Sequence, residues 1–139
     1  MPIHTATIPV QTRGMTDVID ITDRVTEAVV ESGLRDGTVT VFAPGSTATI
    51  TTIEFEPGLK KDIPEYLDKI APYGPDYKHH DTWHDDNGAA HVRAALMGPS
   101  LVVPFVRRAM TLGTWQQIVL ICFDTRPRKR EIVAQVMGE

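Results

Sequence analysis

A chain of 139 residues, 42% hydrophobic and 23% charged, has the size and balance of one folded domain, which argues against a largely disordered protein. Its single cysteine excludes an intrachain disulfide and a cysteine-rich zinc module. The net charge of -4 argues against nucleic acid as the main partner, and the longest apolar run, Ile118 to Phe123, falls far short of the ~20 residues of a membrane helix.

Ten prolines and ten glycines call for many sharp turns between short elements. The opening residues show no charged stretch followed by an apolar core, so the expectation is a cytoplasmic protein with no membrane contact. Thr5 to Thr12 approaches period 2 and predicts a strand, with Val18 to Ile21 a second, shorter one. Thr22 is placed as a helix N-cap, followed by Val25, Ala28 and Val29 at helical spacing and by Gly33 at the end. Thr38 to Ala43 and Thr47 to Phe55 are rich in β-branched residues, and Pro44-Gly45-Ser46 between them makes a hairpin or a tight corner.

The spacing of Asp62 and Glu65 predicts a second helix from Asp62, with Pro64 in its first turn and Ile63, Tyr66, Leu67 and Ile70 on its apolar face. Asp76 to Gly88 has neither period and reads as a polar loop. Asp86 or Asn87 is then positioned to cap a short helix over Ala89 to Met97. Leu101 to Val106, Leu112 to Phe123 and Glu131 to Met137 follow as three strands joined by polar turns, an antiparallel meander. Ile118 to Phe123 is apolar on both faces and calls for cover on both sides, one of which a second subunit could supply. The expected fold is a single α+β domain over residues 1–139. Mostly antiparallel or mixed sheets pack in layers with two main helices and the C-terminal three-strand meander.

Four of the five histidines, His79, His80, His84 and His91, fall in one short stretch with Asp76, Asp81, Asp85 and Asp86. Imidazole and carboxylate are the usual ligands of zinc or manganese, and Asp or Asn at a helix start can turn backbone N–H groups toward an anion. The stretch therefore suits a metal, an anion or a metal–phosphate pair, or else it is a solvated loop. Trp83 in its middle points to packing against something. Ser46 and Thr47 beside Gly45 can bond a phosphate or simply decorate a strand, and Glu54 between Ile53 and Phe55 can face either way. Arg107-Arg108 and the Arg126 to Arg130 run lie at opposite ends of the Leu112 to Phe123 strand in this reading and so form no single nucleic-acid patch. Cys122 reads as core packing. Thr114-Trp115-Gln116 after Gly113 reads as a bulge lining a pocket or as a subunit contact.

The run Trp83-His84-Asp85-Asp86-Asn87-Gly88-Ala89-Ala90-His91 is followed by Ala94-Ala95-Leu96-Met97-Gly98-Pro99-Ser100. Val103-Pro104-Phe105 and Leu112-Gly113-Thr114-Trp115-Gln116-Gln117-Ile118 come after it. This ordered series resembles the YjbQ family, also called the secondary thiamine-phosphate synthase family, over nearly the whole chain. The resemblance implies a homotrimer built around packed sheets and a polar site containing histidines. It also implies a weak ability to join a hydroxymethylpyrimidine diphosphate to a thiazole phosphate with loss of pyrophosphate.

It carries Glu54, Asp85 and His91 over as catalytic candidates. Ser46, Thr47, Asn87, Arg93, Ser100, Thr114, Trp115 and Gln116 become ligand-binding candidates, with Arg93 or a histidine donating to the phosphate. His80, His84 and His91 are the expected metal ligands, for a divalent ion such as zinc or magnesium. The expected partners are further copies of the chain and a phosphate-bearing small molecule. Many members carry a histidine where this chain has Gly45, and His84, four residues after His80, is the expected replacement.

Overall fold

A computed structural model describes all 139 residues, Met1–Glu139. Twelve elements follow one another: β1 (Ile3–Gln11), β2 (Asp17–Asp20), α1 (Thr22–Glu31), β3 (Gly37–Phe42), β4 (Ala48–Ile53), α2 (Pro57–Ile70), α3 (Lys78–Trp83), α4 (Gly88–Met97), β5 (Ser100–Val106), β6 (Ala109–Met110), β7 (Gln117–Cys122) and β8 (Lys129–Gly138). They build an α+β domain of two sheets, a five-stranded one in the order β1-β8-β3-β5-β6 and a three-stranded one in the order β2-β7-β4. Every pairing is antiparallel.

The expected C-terminal meander does not form. Its first strand, β5, pairs with β3; its middle strand, β7, enters the other sheet; its last, β8, pairs with β1 and β3. The middle strand is also shorter than expected, because residues 111–116 form a loop, exposed but for Leu112. The reason lies in burial. A strand apolar on both faces needs a layer on each side, and a meander sharing one sheet with β5 and β8 would leave one face bare.

In the folded chain Ile118 and Leu120 point into a core of 19 buried residues shared by both sheets and α1. Val119, Ile121 and Phe123 meet Leu67 of α2 with Ala90 and Ala94 of α4. The second cover is thus supplied by helices of the same chain and not by another subunit. Between β3 and β4 the open choice resolves as a corner, since those two strands belong to different sheets.

Three further corrections concern the helices. Thr22 begins α1 but does not cap it; its hydroxyl donates to Asp20 Oδ1, and Ile21 holds the cap position. α2 begins at Pro57 rather than at Asp62, because the Glu56 side chain accepts the Gly58 and Leu59 backbone N–H groups that a helix start leaves unpaired. Pro64 therefore lies inside α2, and only Ile63 and Leu67 of the expected apolar face pack inward, leaving Tyr66 and Ile70 exposed. The polar stretch from Asp76 to Gly88 contains the short helix α3, which ends at His84 in a left-handed turn, φ 54°.

Arg93 ties the helical layer together. Its guanidinium is fully buried and donates to Ala71 O, Thr16 Oγ1 and Asp68 Oδ1 at 2.7–2.9 Å. It also lies 4.2 Å above the Tyr73 ring, whose hydroxyl donates to Phe123 O. Burial raises the Tyr73 pKa above its ordinary value.

Candidate functional site

A cavity of about 840 Å³ opens where the Pro44–Thr47 corner, the residues leading into β8, α3 and the first turns of α4 meet. Each wall follows from a local rule. β8 alternates strictly, with Arg130, Ile132, Ala134 and Val136 in the buried phase, so the strand's first inward position is an arginine. Asp124 stands at the end of the apolar run through Phe123, at the depth of the core, and is 2% exposed. Gly88 lets α4 start close against Tyr77, whose Cβ would lie 2.4 Å from any side chain at position 88; this sets Asn87 and His91 at the cavity wall.

The polar groups there form one network. Thr47 Oγ1 donates to Asp124 Oδ2 and accepts from Arg130 Nη2 at 2.6 Å. Arg128 Nε donates to the same Asp124 oxygen at 2.8 Å, forming an ion pair. Burial pushes the Asp124 carboxyl up, but the hydrogen bond and charge of Arg128, together with the Thr47 hydroxyl, outweigh it and hold the pKa below the usual aspartate value.

Arg130 Nη2 also reaches Cys122 Sγ at 3.3 Å. Its guanidinium makes no other hydrogen bond in the protein. Nε is buried without a partner, Nη1 makes no hydrogen bond, and no carboxylate lies within ion-pair distance. Five buried side-chain polar atoms in the chain lack a partner, and four of them belong to residues lining this cavity: His79, Asn87, Asp124 and Arg130. Such groups cost free energy unless something else satisfies them, which marks the cavity as the candidate binding site.

On the opposite wall the His79 and His91 rings lie 4.3 Å apart, tilted by 43°. His79 Nε2 stands 3.6 Å from Asp85 Oδ1, and that oxygen accepts the Asn87 N–H. Burial and the neighbouring His79 lower the His91 pKa against the opposing pull of Asp85 and Asp124, which favours the uncharged imidazole. Trp83 borders the opening although it is 68% exposed.

Of the residues expected from the sequence, the cavity brings together Ser46, Thr47, Asp85, Asn87 and His91. The expected metal set is divided. His80 and His84 pack edge to face at 5.6 Å, with His80 Nδ1 2.9 Å from Asp86 Oδ1, and neither lines the cavity with His91. No three His, Cys, Asp or Glu side chains converge in a metal-binding group. The place beside Gly45 is taken by Arg130 and not by His84: a Cβ at Gly45, whose φ is +114°, would lie 2.9 Å from Arg130 Nη1.

Arg93 is committed to the interior contacts described above, and Glu54 is exposed outside the cavity. Ser100 and Gln116 line a separate, smaller cavity of about 310 Å³, where Gln116 Nε2 donates to Thr52 Oγ1. Thr114 is exposed next to them in the β6–β7 loop, as is Trp115, at 72%. Asp124, Arg128 and Arg130 belong to the cavity without having been singled out from the sequence as site residues, and His79, noted only as part of the histidine-rich stretch, joins them. The available signal was an arginine in the buried phase of β8 and an aspartate ending the most apolar strand.

The family model described as UPF0047 protein YjbQ-like matches residues 6–139. The chain belongs to this family. It is 42% identical over 130 residues to a UPF0047 protein of Archaeoglobus fulgidus, covering 94% of this chain and 98% of the relative. The UPF0047 protein YugU of Bacillus subtilis is 32% identical over 133 residues, 95% of this chain and 98% of that protein. Among solved structures, a YbjQ-like protein of unknown function from Sulfolobus solfataricus superposes with a TM-score of 0.93 at 33% identity over 99% of both chains. A YjbQ/UPF0047 family protein from Clostridium acetobutylicum, an orthologue of YugU, gives 0.86 at 38% identity, covering 95% of this chain and 99% of that one. No helix of the chain is long and apolar enough to cross a membrane.

Proposed function

We propose that the chain binds a phosphate-bearing small molecule in the large cavity, with Arg130 as the main anion contact, and that it has a weak thiamine-phosphate synthase activity. The observation that carries the binding is Arg130: a residue about nine-tenths buried, its guanidinium without a carboxylate partner and with Nη1 beside Gly45. A buried cation is costly until an anion answers it, and a guanidinium suits phosphate oxygens. Ser46 and Lys129 flank it, and Arg128 completes a basic wall.

For the synthase reaction the chain needs no nucleophile of its own. The C–O bond of the pyrimidine diphosphate breaks, the pyrophosphate leaves with the bonding pair, and the thiazole nitrogen forms the new C–N bond. The protein's part is to stabilise the charge gathering on the leaving group, the role proposed for Arg130 with Ser46 beside it in the cavity lining. A divalent metal was expected there, but the donor set does not fit one, because His80 and His84 lie outside the cavity and no three histidines or carboxylates form a metal-binding group. The reading therefore rests on the arginines.

Assembly into a homotrimer is part of the same proposal. It is supported by the outer face of the five-stranded sheet, on which Thr5, Gln135, Thr40 and Val102 lie side by side across four strands with no helix over them.

Calorimetric titration with pyrophosphate in the presence of a chelator tests the binding. Wild type should bind, and Arg130→Ala should weaken it at least about tenfold, the worth of one charge-assisted hydrogen bond. Binding that vanishes with the chelator would return the site to a metal. Rescue of a thiamine-requiring strain lacking its main synthase tests the activity; failure at high expression would leave a binding protein without catalysis.

A further inference from the structure

The cavity contains a second charged group with open hydrogen-bonding capacity, and it is of the opposite sign. Asp85 Oδ2 has no partner in the protein, and Oδ1 receives only the Asn87 N–H at 3.2 Å. The nearest base, His79, stands beyond hydrogen-bond distance at 3.6 Å and has the His91 ring on its other side. The remaining charges of the cavity are accounted for: Arg128 is paired with Asp124, while Lys129 and Glu131 are exposed on the rim. Asp85 on the α3–α4 wall and Arg130 on the β8 wall share one cavity yet form no ion pair with each other.

On the basis of the anion reading above, we infer that the cavity is bipolar and takes a small phosphate ester carrying an amino group, the phosphate on Arg130 and the amine on Asp85. A buried cation without a carboxylate partner and a half-buried carboxylate with a free oxygen line the same open cavity, and a ligand with the complementary pair of charges answers both at once. A plain phosphate leaves Asp85 unanswered and adds a negative charge to the same cavity. The first turn of α4, with the Asn87 N–H on Asp85, and His79 at 3.6 Å are the features already beside that carboxylate. Trp83, two residues before Asp85 and exposed at the opening, presents an aromatic surface to an ammonium group and reports on its arrival.

Titration with ethyl phosphate and with 2-aminoethyl phosphate separates this inference from the reading it rests on. The aminoethyl ester should bind at least about tenfold more tightly than the ethyl ester, as expected for one added charge-assisted hydrogen bond. Asp85→Asn, close in shape, should bring that ratio toward one, whereas Arg130→Lys should weaken both esters alike. Equal affinity of the two esters for wild type would overturn the bipolar site and leave the anion site standing. A preference that survives in Asp85→Asn would overturn the role of Asp85. If neither ester nor inorganic phosphate bound, the anion reading would fall and this inference with it.

Discussion

Asp124 is where the residue scale is most informative, because one carboxylate oxygen joins Thr47, Arg128 and, through Thr47, Arg130. Its folded pKa is depressed, so the unfolded chain takes up the proton more readily than the folded one. The stability this confers is complete above the unfolded value of about 3.9 and is lost as pH falls through the folded value. Urea unfolding should therefore show wild type losing stability below about pH 4, with Asp124→Asn losing less over that range. At neutral pH Asp124→Asn should cost about 1–2 kcal/mol, allowing for the half-exposed position of Arg128. An unchanged acid limb in the variant would show that other carboxylates carry the transition.

The residue scale also marks the limit of legibility. His91, Asn87, Asp85 and Thr47 can be picked out because their residue types announce a site, and the cavity gathers them. Arg130 cannot, since a run of basic residues in a turn looks solvated. Only the phase it shares with Ile132, Ala134 and Val136 places it inward, and charge normally overrides that phase.

At the scale of elements, local chemistry predicted strands and helices well wherever it had no competitor. β1, β3 and β8 are close to their predicted limits, and Gly33 follows α1 with φ +73°. α2 shows what happens with two candidate starts. Asp62 and Glu65 have the right spacing, but Glu56 lies earlier and its carboxylate accepts two backbone N–H groups at once. That contact is worth about 1 kcal/mol, as for other N-caps, and with Pro57 at the first helical position it fixes the start. Glu56→Ala should lower the melting temperature by about 3–5 °C in a chain of this size, followed by circular dichroism. Phosphate affinity should stay at the wild-type value, since α2 does not line the cavity. A melting temperature equal to wild type would mean that Asp62 and Glu65 restart the helix at no cost.

Strand neighbours were the part of the whole molecule that the sequence did not disclose. Polar turns between β5, β7 and β8 permit a meander, and only the demand of β7 for cover on both faces separates them into two sheets. The same layering leaves the outer face of the five-stranded sheet uncovered. Reading across it, Ile3, Met137, Thr38 and Pro104 are neighbours in one row, Thr5, Gln135, Thr40 and Val102 in the next, and Thr7, Val133, Phe42 and Ser100 in a third. None of these twelve residues is charged, although a sheet face meant for water normally carries charges. Thr7 and Val133 also belong to the cavity rim, so a neighbour seated on this face would border the binding site. Val102 lies in the middle row and is 58% exposed in the isolated chain, so Val102→Lys has room in the folded protomer. Within an apolar contact its ammonium would have to be desolvated without a partner. Light scattering after size exclusion should give a trimer mass for wild type and a monomer mass for Val102→Lys, with circular dichroism unchanged. A wild-type monomer, or a variant that stays trimeric, would remove this face from the assembly. If the variant dissociates and its affinity for phosphate esters falls as well, the rim residues Thr7 and Val133 connect the two properties.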